Sequence, residues 1–267
     1  MRPRIKIAGI LNLDPDSFSG DGIGNPDAAL RHAVALRDAG ADLVDVGAVS
    51  TRPGYALPDD RTECARLAAV LPLLRREGVP FSVDAFRAPA VVLALDVGAA
   101  MVNDVFALRD PGVLARVRDA SADFVLMAAP GVSSDALHGA PEDPVASAHA
   151  FLAERLAACR ASGIASERIW IDPGIGFFGP GDVSPRLLRA LPAFVALHPR
   201  VYVGLSRKRF LDAFLVPGGS ADVAAARRSA AIGAHLAAAS LGAGFLRVHD
   251  VRETVEALSA FWAICGP

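Results

Sequence analysis

A repeated alternation of helix-like and strand-like segments constrains the fold of this chain more than any other feature. Three times, at residues 39–47, 98–104 and 242–249, a helix-like stretch ends at Gly-Ala, enters an apolar run and stops at a polar cluster. Glycine accommodates the left-handed residue that follows many helices. A short apolar run after it is typical of a strand buried on both faces. The pattern therefore predicts strand–helix units in a parallel sheet.

Eight such strands can be counted along the chain. They are predicted at residues 5–11, 43–46, 81–83, 101–102, 124–127, 169–171, 201–203 and 245–248. Eight strand–helix units in 267 residues match the size of a (β/α)8 TIM barrel, an α/β fold. A doubly wound open sheet is built from the same units and is the alternative. Because no linker-like segment divides the chain, residues 1–267 are expected to form a single domain.

Three helix starts can be predicted from capping residues. Asn25 followed by Pro26 provides an N-cap side chain and a proline at the first helical position, and Ser184 before Pro185 repeats the arrangement. Asp250 with Glu253 resembles a capping box for the last helix.

Composition excludes several classes of protein. With 27 basic and 29 acidic residues, the net charge of −2 argues against nucleic-acid and membrane partners. Three dispersed cysteines disfavour a disulfide framework or a cysteine zinc site and favour a reducing compartment. The most apolar region, 223–246, is interrupted by Arg227, Arg228 and His235, so a membrane span is not expected. The sequence predicts a soluble, cytoplasmic protein.

Polar residues follow seven of the eight predicted strands. They are Asn12, Ser50-Thr51-Arg52, Asp84, Asn103-Asp104, Asp172, Ser206-Arg207-Lys208, and Arg247 with His249. Any one of them could be a helix cap or a loop ion pair. In a barrel, however, the carboxyl ends of the strands converge on one mouth, where barrel enzymes keep their active sites. Seven clusters at seven strand ends therefore indicate an active site.

The residue types in these clusters suit two kinds of ligand group. The cations and hydrogen-bond donors suited to an anion such as phosphate are Arg52, Lys208, Arg247 and His249. The acceptors and amides suited to a flat heterocycle with several N–H groups are Asp84, Asn103 and Asp172, with Phe177 or Phe178 available to stack. A Mg²⁺ ion is expected if the anion is a pyrophosphate. Residues 174–179 also fit the dinucleotide pattern G-x-G-x-x-G, but no helix opens after them and no acidic residue follows at the required distance.

Taken in order, these motifs resemble dihydropteroate synthases, the pterin-binding barrel family. The resemblance runs almost end to end and rests on GILN at 9–12 with PDSFS at 15–19, STRPG at 50–54, SVD at 82–84, ND at 103–104, DPGIGF at 172–177, SRK at 206–208 and RVHD at 247–250. Members join 7,8-dihydropterin pyrophosphate to p-aminobenzoate and release pyrophosphate, forming 7,8-dihydropteroate. The resemblance thus implies a transferase of folate biosynthesis that is usually a homodimer.

The resemblance also implies a role for each matching residue. Pterin ligands are expected to be Asp84, Asn103, Asp172 and Lys208, with Phe177 beside them. Pyrophosphate ligands are expected to be Arg247, His249 and Asn12, with Asn12 also near Mg²⁺ and with Thr51 and Arg52 completing the anion site. Ser206 and Lys208 should border the aminobenzoate pocket. Lys208, Asp84 and Asp172 are the expected catalytic residues.

The chain departs from the family pattern at several positions. It has Asp14 for Thr, Ala48-Val49 for Gly-Glu, Phe106-Ala107-Leu108 for Ser-Gly-Gly, Ala128-Ala129 for His-Met, and Phe178-Gly179 for Gly-Lys. Asp14 should bring a carboxylate close to the pyrophosphate, and Phe178 should add an aromatic ring at the mouth. Two alternatives to a synthase follow: a non-catalytic or repurposed paralogue that still binds pterin, and a pterin-dependent corrinoid methyltransferase. The retained STRP, SRK and R-x-H motifs argue against the methyltransferase.

Overall fold

The fold is a closed barrel of parallel strands surrounded by helices. The computed structural model describes residues 4–14, 22–49, 58–129, 141–179, 181–216 and 223–266. Its strands are β1 Lys6–Asn12, β2 Leu43–Gly47, β3 Phe81–Asp84, β4 Met101–Asp104, β5 Asp123–Met127, β6 Ile169–Asp172, β7 Tyr202–Gly204 and β8 Phe245–Val248. They pair in the order β6-β5-β4-β3-β2-β1-β8-β7, and a parallel bridge from Ile171 to Val201 joins the two edges. The predicted (β/α)8 barrel is confirmed, and the open sheet is excluded.

Helices follow the strands around the outside of the barrel. They are α1 Pro26–Asp38, α2 Asp60–Arg76, α3 Ala88–Val97, α4 Pro111–Arg118, α5 Pro144–Ala161, α6 Val183–Arg189, α7 Leu191–Leu197, α8 Val223–Ser240 and α9 Val251–Cys265, with 3₁₀ turns at Ser166–Arg168 and Arg209–Phe214. In the part of the chain described here, no helix is both long and apolar enough to span a bilayer. All three cysteines carry free thiols.

Two of the three predicted helix starts are confirmed. The Asn25 side chain accepts a hydrogen bond from the backbone N–H of Ala28 at 3.0 Å, and α9 begins directly after Asp250. The start at Ser184 is wrong, because α6 begins at Val183 and Ser184 is buried within it. The capping box at Asp250 is not formed, since the Asp250 carboxylate makes no side-chain cap and lies 3.1 Å from Arg228 Nε instead. A nearby guanidinium competes successfully with the backbone for this carboxylate.

The strands continue further toward the mouth than their apolar runs indicate. Four of them end on the polar residues Asn12, Asp84, Asp104 and Asp172. Ladder pairing continues through these ends, for example from Gly47 to both Asn12 and Asp84 and from Met127 to Asp172. The polar side chains are therefore carried by sheet backbone rather than by loops.

Successive layers of side chains fill the barrel interior. An apolar layer at the amino ends of the strands consists of Ala8, Leu43, Met101, Val125, Trp170, Tyr202 and Phe245. Side chains two positions apart share a face of a strand, so the next interior positions follow directly. These are Ile10, Asp45, Asn103, Met127, Asp172, Gly204 and Arg247. The apolar layer thus fills the amino-terminal end of the barrel. The next layer, toward the mouth, contains the charged residues Asp45, Asp172 and Arg247.

Candidate active site

Arg247 lies at the centre of the mouth, between two carboxylates. Its Nε is 2.5 Å from Asp45 Oδ2, and its Nη2 is 2.8 Å from Asp84 Oδ2. Burial alone would lower the pKa of Arg247, but Asp45 and Asp84 raise it above its ordinary value. The guanidinium is therefore charged and fixed in direction by strands β2 and β3.

Asp45 is the site residue that the sequence analysis missed. It is fully buried in the middle of β2 and accepts hydrogen bonds from Ser82 Oγ at 2.5 Å and Asn103 Nδ2 at 3.3 Å, besides its pair with Arg247. Asp45 lies inside its strand, whereas polar site residues were expected only beyond the strand ends. The available signal was a single carboxylate inside the apolar run 43–47, because a buried charge requires a partner.

Asp84 presents an acceptor atom toward the mouth. Burial raises its pKa to about 7, against the opposing effect of Arg247. Its Oδ1 is buried and forms no hydrogen bond within the described part of the chain. Leaving a buried acceptor unpaired costs about 1–3 kcal/mol, so this oxygen is suited to a donor group on a ligand.

Lys208, Asp172 and Phe177 form the opposite side of the mouth. Lys208 Nζ donates to the carbonyl oxygen of Ile175 and lies 4.7 Å from the centre of the Phe177 ring. Burial lowers the pKa of Lys208 to about 8, against the effect of Asp172. Burial raises the pKa of Asp172 to about 6, although Lys208 and the N–H of Gly174, 2.8 Å away, oppose the shift. Both groups therefore titrate close to neutral pH.

The glycine-rich turn after β6 makes room for this arrangement. Gly174 and Gly176 have φ values of +74° and +93°, which side chains disfavour. A Cβ at Gly174 would overlap the carbonyl oxygen of Ala128, and one at Gly176 would stand 2.7 Å from Lys208 Cδ. The turn can therefore pass directly beneath the lysine.

An apolar wall stands beside these charged groups. Val105, Met127 and Ala129 are buried together, and Phe86 and Phe177 pack against them. Phe178 is not part of the mouth, because its side chain is only 4% exposed and belongs to the core between barrel and helices. The expectation for Phe178 was wrong, since the turn directs only the first of the two adjacent rings toward the mouth.

The loops after β7 and β8 are joined through Ser206 and His249. The backbone N–H of His249 donates to Ser206 Oγ at 3.3 Å, and Arg207 Nη2 lies 3.6 Å from Asp250 Oδ1. The first loop follows β7, the neighbour of β8, and the second follows β8, the strand that carries Arg247. The described candidates thus meet at one mouth, whereas Thr51 and Arg52 lie outside the described residues.

Asn12 and Asp14 lie where β1 reaches the mouth. Asn12 Oδ1 and Asp84 Oδ2 are 3.6 Å and 3.9 Å from the point where a Cβ on Gly47 would stand. Asp14 is 2% exposed, and its Oδ1 lies 3.3 Å from Arg66 Nη1. Because Arg66 balances the charge of Asp14, this carboxylate repels an anion at the mouth less than the sequence suggested.

The fold and the mouth together define a barrel enzyme for a small ligand that has a polar ring and an anionic group. A family model described as "Pterin binding enzyme" matches residues 8–249. The dihydropteroate synthase of Mycobacterium leprae is 38% identical, with 98% of this chain and 95% of the relative covered. That of Escherichia coli K12 is 35% identical, with 94% and 89% covered.

Solved structures of dihydropteroate synthases superpose closely on the chain. The Yersinia pestis enzyme with a sulfonamide drug complex has a TM-score of 0.88 and 33% identity, with 97% of this chain and 93% of that chain covered. The Xanthomonas albilineans enzyme with 7,8-dihydropteroate has a TM-score of 0.84 and 38% identity, with 99% and 95% covered. The chain belongs to the pterin binding enzymes, in the dihydropteroate synthase family.

Proposed function

We propose that this protein is a dihydropteroate synthase, a transferase of folate biosynthesis that joins 7,8-dihydropterin pyrophosphate to p-aminobenzoate. The observation that carries the proposal is one mouth that holds a doubly paired arginine together with a half-buried lysine beside a buried aspartate. The Xanthomonas albilineans relative has been solved with 4-aminobenzoic acid and with 7,8-dihydropteroate, one substrate and the product of this reaction.

The pterin ring fits the Asp84 side of the mouth and the Lys208 side together. Asp84 Oδ1 and the Asp172 carboxylate would accept ring N–H groups, and Asn103 would add an amide between them. Lys208 would donate to a ring acceptor, and Phe177 would cover the ring at the apolar wall. Ser206 and Lys208 would border the aminobenzoate.

The pyrophosphate fits the side formed by β8 and β1. Arg247 and His249 would bind its oxygens, and Thr51 and Arg52 remain predicted members of the same anion site. The oxygens of Asn12 and Asp84 near Gly47 are the ligand type that Mg²⁺ prefers. Among the described residues no three histidine, cysteine or carboxylate side chains cluster to hold a metal. We therefore infer a Mg²⁺ ion held mainly by the pyrophosphate, with Asn12 as its protein ligand; it would neutralise charge on the leaving group.

In the reaction, the bond between the pterin methylene carbon and the pyrophosphate oxygen breaks, and the bonding electrons leave with pyrophosphate. Arg247 and His249 stabilise the departing anion, whereas Asp84 and Asp172 stabilise positive charge on the pterin. The amino nitrogen of p-aminobenzoate then bonds to the methylene carbon and loses one proton to water. Because this proton goes to water, the reaction requires no strong protein base.

The test of this proposal is to quantify both products. Purified protein is mixed with dihydropterin pyrophosphate, p-aminobenzoate and Mg²⁺, and dihydropteroate and pyrophosphate are measured over time. We expect equal amounts of the two. Binding of dihydropterin pyrophosphate without either product would contradict the proposal and favour a repurposed pterin-binding paralogue.

The pH dependence should follow the three mouth groups whose pKa values lie near neutrality. Asp84 and Asp172 must both be ionised to accept from the pterin, so kcat/KM for dihydropterin pyrophosphate should fall as the pH drops below about 7. Lys208 must be protonated to donate, so kcat/KM should also fall as the pH rises above about 8. Rates measured from about pH 5 to pH 10 test this. Lys208→Arg should remove the alkaline decline, because a guanidinium stays protonated; an unchanged decline would contradict the assignment.

We also propose that the protein forms a homodimer through the face between α6 and α8. A groove of about 510 Å³ lies there, lined by apolar residues of α6, the 3₁₀ turn Arg209–Phe214 and α8, including Ala226, Ala230 and Gly233. Phe214 beside it is 60% exposed. Sedimentation should show a dimer for the wild type and a monomer for Phe214→Glu. Ile264→Glu is the matched control, because Ile264 on α9 is also exposed; a dimeric Phe214→Glu would contradict this interface.

A further inference from the structure

The turn after β4 contains two consecutive residues in a backbone conformation that side chains disfavour. Ala107 and Leu108 both have a φ of +54°, and both are buried. Arg207 is the one other non-glycine residue with positive φ in the described ranges. In L-residues this conformation brings Cβ close to the following carbonyl oxygen, so it persists only where neighbours hold it. Neither position is occupied by glycine in this chain.

Two charged side chains hold the turn from opposite sides. The Asp104 carboxylate accepts hydrogen bonds from the N–H of Phe106 at 2.6 Å and from the N–H of Leu108 at 2.8 Å. The Arg155 guanidinium on α5 donates to the carbonyl oxygens of Ala107 and Leu108, each at 2.9 Å. Asp104 is fully buried, and both of its oxygens are used within its own turn. It is therefore directed at the backbone and not at the mouth.

The same turn carries part of the wall beside the candidate pterin pocket. Val105 packs with Met127 and Ala129 in that wall. Phe106 stacks on Phe86, with ring centroids 5.5 Å apart, and Phe86 packs against the wall in turn. The residue just before Asp104 is Asn103, a candidate pterin ligand. A shift of the turn would therefore move the wall and disturb Asn103.

We propose that Asp104 and Arg155 are positioning residues for the pterin pocket, which they shape by holding the Ala107-Leu108 turn in its strained conformation. The identity of the ligand rests on the proposed function, whereas the mechanical role rests on the contacts of the turn. Neither residue touches the mouth. Their effect on the ligand passes through Val105, Phe106 and Phe86.

The test is whether glycine makes the positioning residues unnecessary. Asp104→Ala should raise the KM for dihydropterin pyrophosphate about tenfold, the equivalent of about 1.4 kcal/mol. The KM for p-aminobenzoate and kcat should change less than about threefold, because Ser206 and Lys208, which would border the aminobenzoate, follow β7 and do not pack on this turn. Adding Ala107→Gly should restore the pterin KM to within about threefold of wild type, since glycine adopts positive φ readily. Leu108 is left in place, because its side chain is only 1% exposed and belongs to the core.

Asp110→Ala is the matched control. Asp110 also accepts from two backbone N–H groups, of Gly112 at 2.7 Å and Val113 at 3.2 Å, but it caps α4 and holds no residue of positive φ. We expect a modest loss of stability and an unchanged pterin KM. A pterin KM raised equally in Asp110→Ala would show that any damage near β4 has this effect and would overturn the proposal.

The remaining outcomes separate this inference from the proposed function. If Asp104→Ala does not fold, Arg155→Lys takes its place, because lysine cannot donate to both carbonyl oxygens in the same forked geometry. The same Ala107→Gly substitution should rescue it. An unchanged pterin KM, or no rescue by glycine, overturns the positioning role while synthase activity stands. A wild-type protein that binds no dihydropterin pyrophosphate in calorimetry overturns the proposed function and the ligand named here with it.

Discussion

We expect Lys208→Ala to lower the rate of dihydropteroate formation at least about a hundredfold, the scale seen when one donor is removed from a preorganised site. Lys208 is a half-buried cation that faces Asp172 and Phe177 and would border both substrates. Alanine removes the donor to the pterin and leaves the Asp172 carboxylate without its cation. That carboxylate then takes up a proton more readily and is lost as an acceptor, so one substitution disables two groups.

The chain offers a close control for this variant. It contains only two lysines, Lys6 and Lys208, whereas the other 25 of its 27 basic residues are arginines. Lys6 begins β1 at the opposite end of the barrel, where its ammonium lies 5.9 Å from the Trp170 ring centre. Lys6→Ala should leave turnover unchanged. Near-normal turnover by a folded Lys208→Ala, checked by circular dichroism, would contradict the site assignment.

The sequence predicts the barrel well because its signal is repeated eight times. Each apolar run between helix-like segments specifies a strand with little help from distant residues, and closure places the strand ends together. Asn12, Asp84, Asn103, Asp172, Lys208 and Arg247 were therefore found at the mouth from their positions after predicted strands. The topology of the barrel therefore brings these separately predicted residues together at one mouth.

Features set by distant contacts could not be predicted in the same way. The Asp250 side chain forms an ion pair with Arg228, which lies 22 residues earlier in the chain. No local capping rule predicts such a distant partner. Phe177 and Phe178 are adjacent in sequence, and the path of a glycine turn decides which ring faces the mouth. The partners of Asp45 come from three other strands, so its role emerged only when β3, β4 and β8 were assembled around it.

Asp45→Asn is the second substitution for which we expect a large effect, although the variant is nearly isosteric. The side chain of Asp45 is fully buried, and that of Arg247 is 23% exposed. Breaking a buried pair by removing one partner typically costs 3–5 kcal/mol. Because Arg247 keeps Asp84 as a partner, we expect the free energy of unfolding to fall by about 2–3 kcal/mol. Chemical denaturation measures this directly.

The same change should release Arg247 from its fixed direction. The guanidinium would then follow Asp84 alone, and we expect the KM for dihydropterin pyrophosphate to rise at least about tenfold. Ser82→Ala is the control, because it removes the hydroxyl that donates to Asp45 and leaves the ion pair in place. That variant should lose only about 1 kcal/mol of stability and keep its KM.

A double substitution distinguishes loss of the ion pair from general damage to the barrel. In Asp45→Asn with Arg247→Met, no buried guanidinium is left, and the remaining Asp84 carboxylate can become neutral because its pKa is already about 7. The double variant should therefore lose less stability than the two single variants added together, with a coupling of about 1–3 kcal/mol. Strict additivity would mean that Asp45 and Arg247 contribute independently, and Asp45 would then have no part in orienting the arginine at the mouth.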